Sequence, residues 1–243
     1  MSAGSVTAFE HRASYADVDG RDRWEVRAVN RWLTATLPAV AAGAPAGAVL
    51  DVGCGEQPFR PLVESFRRPY VGMDIIQNAS GTVATLGDLE HADAPATPYS
   101  IVLCTEVLEH VFDVTLSFRG LRRLTMTGGL VMITVPFLFP EHMDPDDFRR
   151  LTEHGVAQLA RDHGFAVVSS QRLSSAPEVI ATMLADVSVL PSAPTLRSRV
   201  KTRVLRAAKS WLVSRLASPS LADHVRINSN LYLSSGIVLK AVA

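Results

Sequence analysis

At 243 residues, with 24 Lys and Arg against 24 Asp and Glu, the chain has room for one well-cored α/β domain with an insertion. Its zero net charge excludes a global field favouring nucleic acid, membrane or an acidic substrate. The 47% hydrophobic and 20% charged fractions suit an ordinary globular protein, and two cysteines, Cys54 and Cys104, exclude a disulfide framework and point to a reducing cytoplasm. Met1 to Tyr15 has no apolar core for a signal peptide, and no run of about 18 apolar residues offers a membrane span.

The first pattern is a helix over Trp24 to Ala42, where Trp24, Val26, Ala28, Val29, Trp32, Leu33 and Leu37 recur at helical spacing. Residues 1–44 read as an N-terminal helical cap, with Gly43 to Gly47 as the linker. Strands and helices then alternate, which predicts a parallel sheet with helices on both faces. The predicted strands are Ala48–Val52, Tyr70–Asp74, Thr82–Leu86, Tyr99–Cys104, Leu130–Val135, Phe165–Ser169 and, at the end, Asn230–Val242. Helices are expected from near Val107, around Thr115 to Leu124, and from an N-cap at Thr152 to His163, where Gly164 stops it. Residues 45–176 and 229–243 thus form the sheet domain, and residues 177–228 break the alternation as a helical insertion or lid.

Chemistry concentrates where strands end. Val49 to Gly55 is a buried strand that delivers Asp51 into a turn carrying Gly53 and Gly55, so the backbone can approach a ligand closely. An acid at that turn repels a pyrophosphate and suits a cation, which argues against a nicotinamide-binding loop. Asp74 ends the second strand, where a carboxylate can accept from ribose hydroxyls, and Asp88-Leu89 follows the third, within reach of an adenine ring. Each acid alone is more often a loop cap; three beyond separate strands of one sheet mark a ligand edge, since open α/β sheets bind ligands outside the carboxyl ends of their strands.

Val49 to Gly55, Tyr70 to Ile75, Gly87 to Leu89, Ser100 to Val111 and Gly128 to Phe137 resemble, in order, the motifs of class I S-adenosylmethionine-dependent methyltransferases of the small-molecule and glycan-modifying type. The resemblance implies a Rossmann-like, doubly wound seven-stranded sheet with its last strand antiparallel. It gives Asp51, Gly53 and Gly55 the methionine end of S-adenosylmethionine, Asp74 the ribose, Asp88 and Leu89 the adenine, and Ile75 the adenine face, while Thr105 and Glu106 line the cleft. The third glycine of the motif is missing, as in a variant common among such members.

Thr105 to Val111 contains Glu106, Glu109 and His110. A Glu-x-x-Glu-His element of this kind binds magnesium in the ubiquinone-pathway and small-RNA 2′-O-methyltransferases, with His142 available as a further ligand, but many relatives carry the string without a metal, and none is expected here. Pro136 to Thr152 borders the acceptor pocket and is similar to the His-x-x-Pro-x-Asp-Phe-x-Arg-x-Thr stretch of methyltransferases in polysaccharide and specialised-metabolite pathways. It supplies His142, with Asp147, as candidate catalytic residues: an imidazole near neutrality can take a proton from an attacking hydroxyl or amine. The bland reading has both merely fixing the loop.

Leu196 to Leu216 carries seven cations and no acid on an apolar period of 3.6 residues, a basic amphipathic helix. It reads as a lid with a solvated basic face, as a helix lying on an anionic membrane, or as a subunit contact. The expected function is methyl transfer to an oxygen or nitrogen of a small metabolite or sugar, with no nucleic-acid partner. The alternatives are an RNA 2′-O-methyltransferase or a protein that binds the cofactor without turnover.

Overall fold

The computed structural model describes residues 23–190, 195–216 and 231–243. Its seven strands are β1 (Val49–Val52), β2 (Tyr70–Asp74), β3 (Thr85–Leu86), β4 (Tyr99–Thr105), β5 (Thr125–Pro136), β6 (Phe165–Leu173) and β7 (Ser234–Ala241). They form one sheet in the order β3-β2-β1-β4-β5-β7-β6, parallel except for β7, which runs antiparallel to both β5 and β6. This is the Rossmann-like, doubly wound sheet that the strand pattern and the resemblance implied.

Among the described residues six helices flank it: α1 (Arg23–Gly43), α2 (Arg60–Ser65), α3 (Val114–Leu124), α4 (Glu153–Asp162), α5 (Ala176–Asp186) and α6 (Leu196–Leu216). Successive strand residues alternate between faces. Leu50, Val52, Val102, Cys104, Val131 and Ile133 meet Phe118 and Leu121 of α3 and Val156 and Ala160 of α4. On the other face Val49, Ile101, Leu103 and Met132 meet Val29, Leu33 and Leu37 of α1 and Val63 of α2. The two faces close the core, and the carboxyl ends of β1, β2 and β4 are left at one edge.

Helix α1 packs as part of the core. Trp32 lies so close over β7 that a Cβ on Gly236 would stand 2.4 Å from its ring, and Leu33 is fully buried. Residues 1–22 of the expected cap lie outside the described residues. The helix expected near Val107 is a turn over residues 108–110. Glu106 leaves β4 at φ +53° with its N–H bonded to the Thr134 carbonyl of β5, which turns the chain away from helical geometry, and α3 waits for Asp113, whose side chain accepts from the Thr115 and Leu116 N–H groups. The third strand shrinks to two residues, and α2, begun by a proline at its first turns, was not anticipated.

The insertion contains α5 and α6, packed on one another; residues 217–228 lie outside the described part, as does Asn230 of the last predicted strand. Helix α6 sits the opposite way round from a lid whose apolar side covers the pocket. It turns Ser198 and Thr202 inward, with the Thr202 hydroxyl bonded to the Ser198 carbonyl at 2.9 Å, while Lys209 Nζ holds the Ala185 and Val187 carbonyls at the end of α5. Small side chains let α6 approach closely, and the lysine fixes its rotation.

Candidate active site

The turn after β1 is built for close approach. Gly53 and Gly55 take φ +66° and +49°, and a Cβ on Gly53 would lie 2.5 Å from Val107. Asp74 braces this turn: its Oδ2 accepts the Gly55 N–H at 2.9 Å and its Oδ1 the Ile75 N–H at 2.8 Å. The Gly87 N–H in turn donates to the Asp74 carbonyl at 2.9 Å, so the three acid-bearing turns are linked along one edge.

Asp51 is buried, receiving the Tyr70 hydroxyl on Oδ2 at 2.6 Å while Oδ1 has no hydrogen-bond partner among the described residues. Burial, with a further push from the Asp74 charge, raises its pKa to about 7 against the hydrogen bond from Tyr70. The same surroundings push the Cys54 thiol up to about 12, so it stays protonated. A buried acid with one free oxygen is the donor set a positively charged ligand group would relieve, so these residues fit the methionine end of the cofactor.

Ile75 is 52% exposed beside Asp74, an apolar side chain free to lie on a ring. Asp88 is surface-lying: partial burial raises its pKa, but hydrogen bonds from the His91 backbone and ring, at 2.8 Å each, outweigh that and hold it low. The Leu89 side chain is buried in the core, and its carbonyl faces α3 so tightly that a Cβ on Gly120 would stand 2.0 Å away. Thr105 is buried at the end of β4.

Beyond β4 lies a second acid group. Glu106 is pushed up to about 7 by burial, against hydrogen bonds to Thr134 and Glu25 and the charge of Arg150. Glu109 is held well above its ordinary value by burial and by Glu106, and neither of its oxygens has a hydrogen-bond partner among the described residues. Glu25 of α1 joins them, raised by burial and by Glu106, with its Oε1 accepting the Ser234 hydroxyl at 2.7 Å. Glu109, His110 and His142 each bring a ligand-capable atom within 4.8 Å of the others, so the Glu-x-x-Glu-His element and His142 come together as a group able to hold a divalent cation.

The loop after β5 is pinned by Asp147. Arg150 donates to both of its oxygens, at 2.5 and 2.6 Å, and the His142 N–H donates to Oδ2 at 3.0 Å. Burial opposes ionisation of Asp147, but these bonds prevail and it remains a carboxylate. The His142 ring sets Nδ1 3.2 Å from Asp147 Oδ2 and lies edge-on to His110 at 4.9 Å. Burial and the His110 charge hold the His142 pKa below its ordinary value, against the pull of Asp147. With Nδ1–H turned to the carboxylate, Nε2 is the basic nitrogen. Of the two candidate catalytic residues, His142 can take a proton and Asp147 positions it.

Sequence reasoning missed Tyr70 and Glu25. Tyr70 pairs with Val49 in the parallel register, which puts it on the same face as Asp51. An acid in the apolar first turn of α1, between Trp24 and Val26, was the available signal for Glu25.

This sheet order, with glycine turn and acids along one edge, is that of the class I S-adenosylmethionine-dependent methyltransferases. The model of the family described as Methyltransferase domain matches residues 24–170, and the chain belongs to that family. No curated protein matches its sequence. Among solved structures it is similar to the 1,6-didemethyltoxoflavin-N1-methyltransferase of Burkholderia thailandensis bound to 1,6-didemethyltoxoflavin and S-adenosylhomocysteine (15% identity, TM-score 0.56, 92% of this chain and 82% of that one). A SAM-dependent methyltransferase from Archaeoglobus fulgidus matches at 15% identity and TM-score 0.55, over 90% of this chain and 97% of that one. The 4+2 cyclase SpnF matches at 13% identity and TM-score 0.53, over 93% and 85%.

Proposed function

We infer that the protein transfers a methyl group from S-adenosylmethionine to an oxygen or nitrogen of a small metabolite or sugar. The observation that carries the acceptor half is His142: half-buried, its pKa held below the ordinary value, and fixed by a carboxylate that is itself clamped by Arg150. A neutral imidazole with Nε2 free suits removal of a proton from a hydroxyl or amine as it attacks. Asp51 would meet the cationic methionine end, Asp74 the ribose and Ile75 the adenine face, with Asp88 beside them. When bound, the cofactor supplies an electrophilic methyl on a sulfonium.

The chain's own contribution is placement and proton handling. The glycine turn, braced by Asp74, fixes one reactant, and the loop pinned by Asp147 fixes the other, so a bimolecular step becomes one of orientation. The burial of Thr105 and Leu108 between them keeps that edge apolar beneath the acids. The toxoflavin relative, an N-methyltransferase acting on a small heterocycle, supports a small-molecule acceptor.

The test is transfer of label from S-adenosylmethionine into a panel of hydroxylated and amine metabolites and sugars. Labelled product from any of them, lost in His142→Ala while S-adenosylhomocysteine still binds, supports the reading. Binding of the cofactor with no transfer to any acceptor would instead favour a binding protein.

A further inference from the structure

Helix α6 turns its apolar side away from the protein. At about 100° per residue, Ser198, Thr202, Lys209, Val213 and Leu216 share one face, and the packing covers most of it: Ser198 and Thr202 are buried, the other three half-buried, and Leu205 between them exposed. Leu196, Val200, Val204, Ala207 and Trp211 fall on the opposite face, and all five are exposed, Leu196 at 78% and Val204 and Trp211 at 61% each. Arg199 and Arg203 border this stripe on one side. Arg197, Lys201 and Arg215 border it on the other, with the Arg215 guanidinium 5.7 Å from the Trp211 ring centre. Residues 196–216 contain seven Lys and Arg and no acid.

An apolar stripe in water calls for a partner, and a helix with seven cations and no acid of its own says that the partner is anionic. A second copy of the chain seated two-fold on this face would bring like charges together. A bilayer with anionic headgroups accepts both features: the stripe enters the boundary with the acyl chains, the cations meet phosphates, and tryptophan suits that boundary. No helix among the described residues is long and apolar enough to cross a membrane. We propose that α6 is a docking helix by which the protein lies on an anionic phospholipid surface. Val213 and Leu216 of α6 pack in one cluster with Trp24 and Leu138, and Leu138 begins the loop that carries His142. The docked protein therefore presents its acceptor side near the lipid. The docking itself is independent of methyl transfer.

The experiment uses the full chain with vesicles of phosphatidylcholine, alone or mixed with phosphatidylglycerol. The protein should sediment with the mixed vesicles about tenfold more than with phosphatidylcholine alone, and raising salt from about 0.1 M to about 0.5 M should release it. Of its three tryptophans, Trp24 and Trp32 are buried, so a blue shift of emission on binding reports Trp211. Arg199→Glu with Arg203→Glu, and separately Val204→Ser with Trp211→Ser, change only exposed positions. Each pair should lower vesicle binding about tenfold, while melting temperature and S-adenosylhomocysteine affinity stay unchanged. Binding that is absent, equal on both vesicle types, or unaffected by either pair overturns the proposal. So does a dimer in solution that the Trp211 pair dissociates without any vesicle binding, which would give the face to a second copy.

Discussion

Replacing Asp51 by asparagine tests the account of the cofactor edge through stability alone. Burial raises the folded-state pKa of Asp51 to about 7 from 3.8, so the fold favours the neutral acid. Its ionisation costs stability progressively as pH rises above 3.8, and the loss levels off above about 7. Between pH 5 and pH 8 the linkage amounts to about 2.5 kcal/mol for one such group. Asparagine keeps an oxygen for the Tyr70 hydroxyl and places its amide at the unpartnered Oδ1 position, a cost independent of pH that cancels when the pH difference is taken. Glu25, Glu106 and Glu109 titrate in both proteins and cancel likewise. The melting temperature of Asp51→Asn, minus that of wild type, should therefore grow by roughly 5–10 °C between pH 5 and pH 8 in a chain of this size. Calorimetric melts across that range, without cofactor, measure it. The same variant should bind S-adenosylmethionine more weakly, because a carboxylate facing the cation has gone. A gap that stays constant with pH would show that Asp51 is already ionised in the free protein, and the argument from its burial would fail.

Asp74→Asn removes a charged acceptor from the Gly55 and Ile75 N–H groups, and loss of such bonds and of ribose contacts should raise the S-adenosylhomocysteine Kd about tenfold or more by calorimetry; an unchanged Kd contradicts the ribose assignment. His142→Ala should lower kcat by about 10²-fold to 10⁴-fold at saturating cofactor with cofactor affinity intact, and undiminished turnover removes the base role. Gly120→Ala drives a Cβ against the Leu89 carbonyl, so it should cost about 1–3 kcal/mol in chemical denaturation without touching the site; wild-type stability would show that α3 can shift freely. Label transfer should survive a chelator, since burial lets the acids near His142 stay protonated without an ion. Loss restored by magnesium or manganese would instead assign a cation to Glu109, His110 and His142.

Strand residues were legible because a buried parallel strand writes a continuous apolar run, as in Ile101 to Cys104, and the acids were legible because they stop those runs. The inward or outward sense of α6 was not. A 3.6-residue apolar period says that one side is apolar; it does not say which side meets the protein, and here buried Ser198 and Thr202 and the bonds of Lys209 to the end of α5 decided it. The turn at Val107 escaped for a related reason. Glu106 to Val111 has helical composition, but a backbone hydrogen bond from Glu106 to the neighbouring strand β5 takes the N–H and sets φ positive, and no local pattern encodes that.

The acids also explain how α1 belongs to the site while packing as core. Glu25 reaches from the first turn of α1 to the Ser234 hydroxyl at the start of β7 and sits close enough to Glu106 that each perturbs the other. Glu25, Glu106, Glu109 and Asp147 come from three separate stretches of chain, so a proton or a cation gained by one group is felt by all of them. Arg150 is the permanent positive charge in that network, and it is spent on Asp147, which leaves the buried glutamates dependent on protonation or on a ligand for their neutrality. The lowered pKa of His142 follows from the same arrangement, because burial, His110 and Arg150 oppose its protonation and outweigh Asp147 and the Pro140 carbonyl, which favour it.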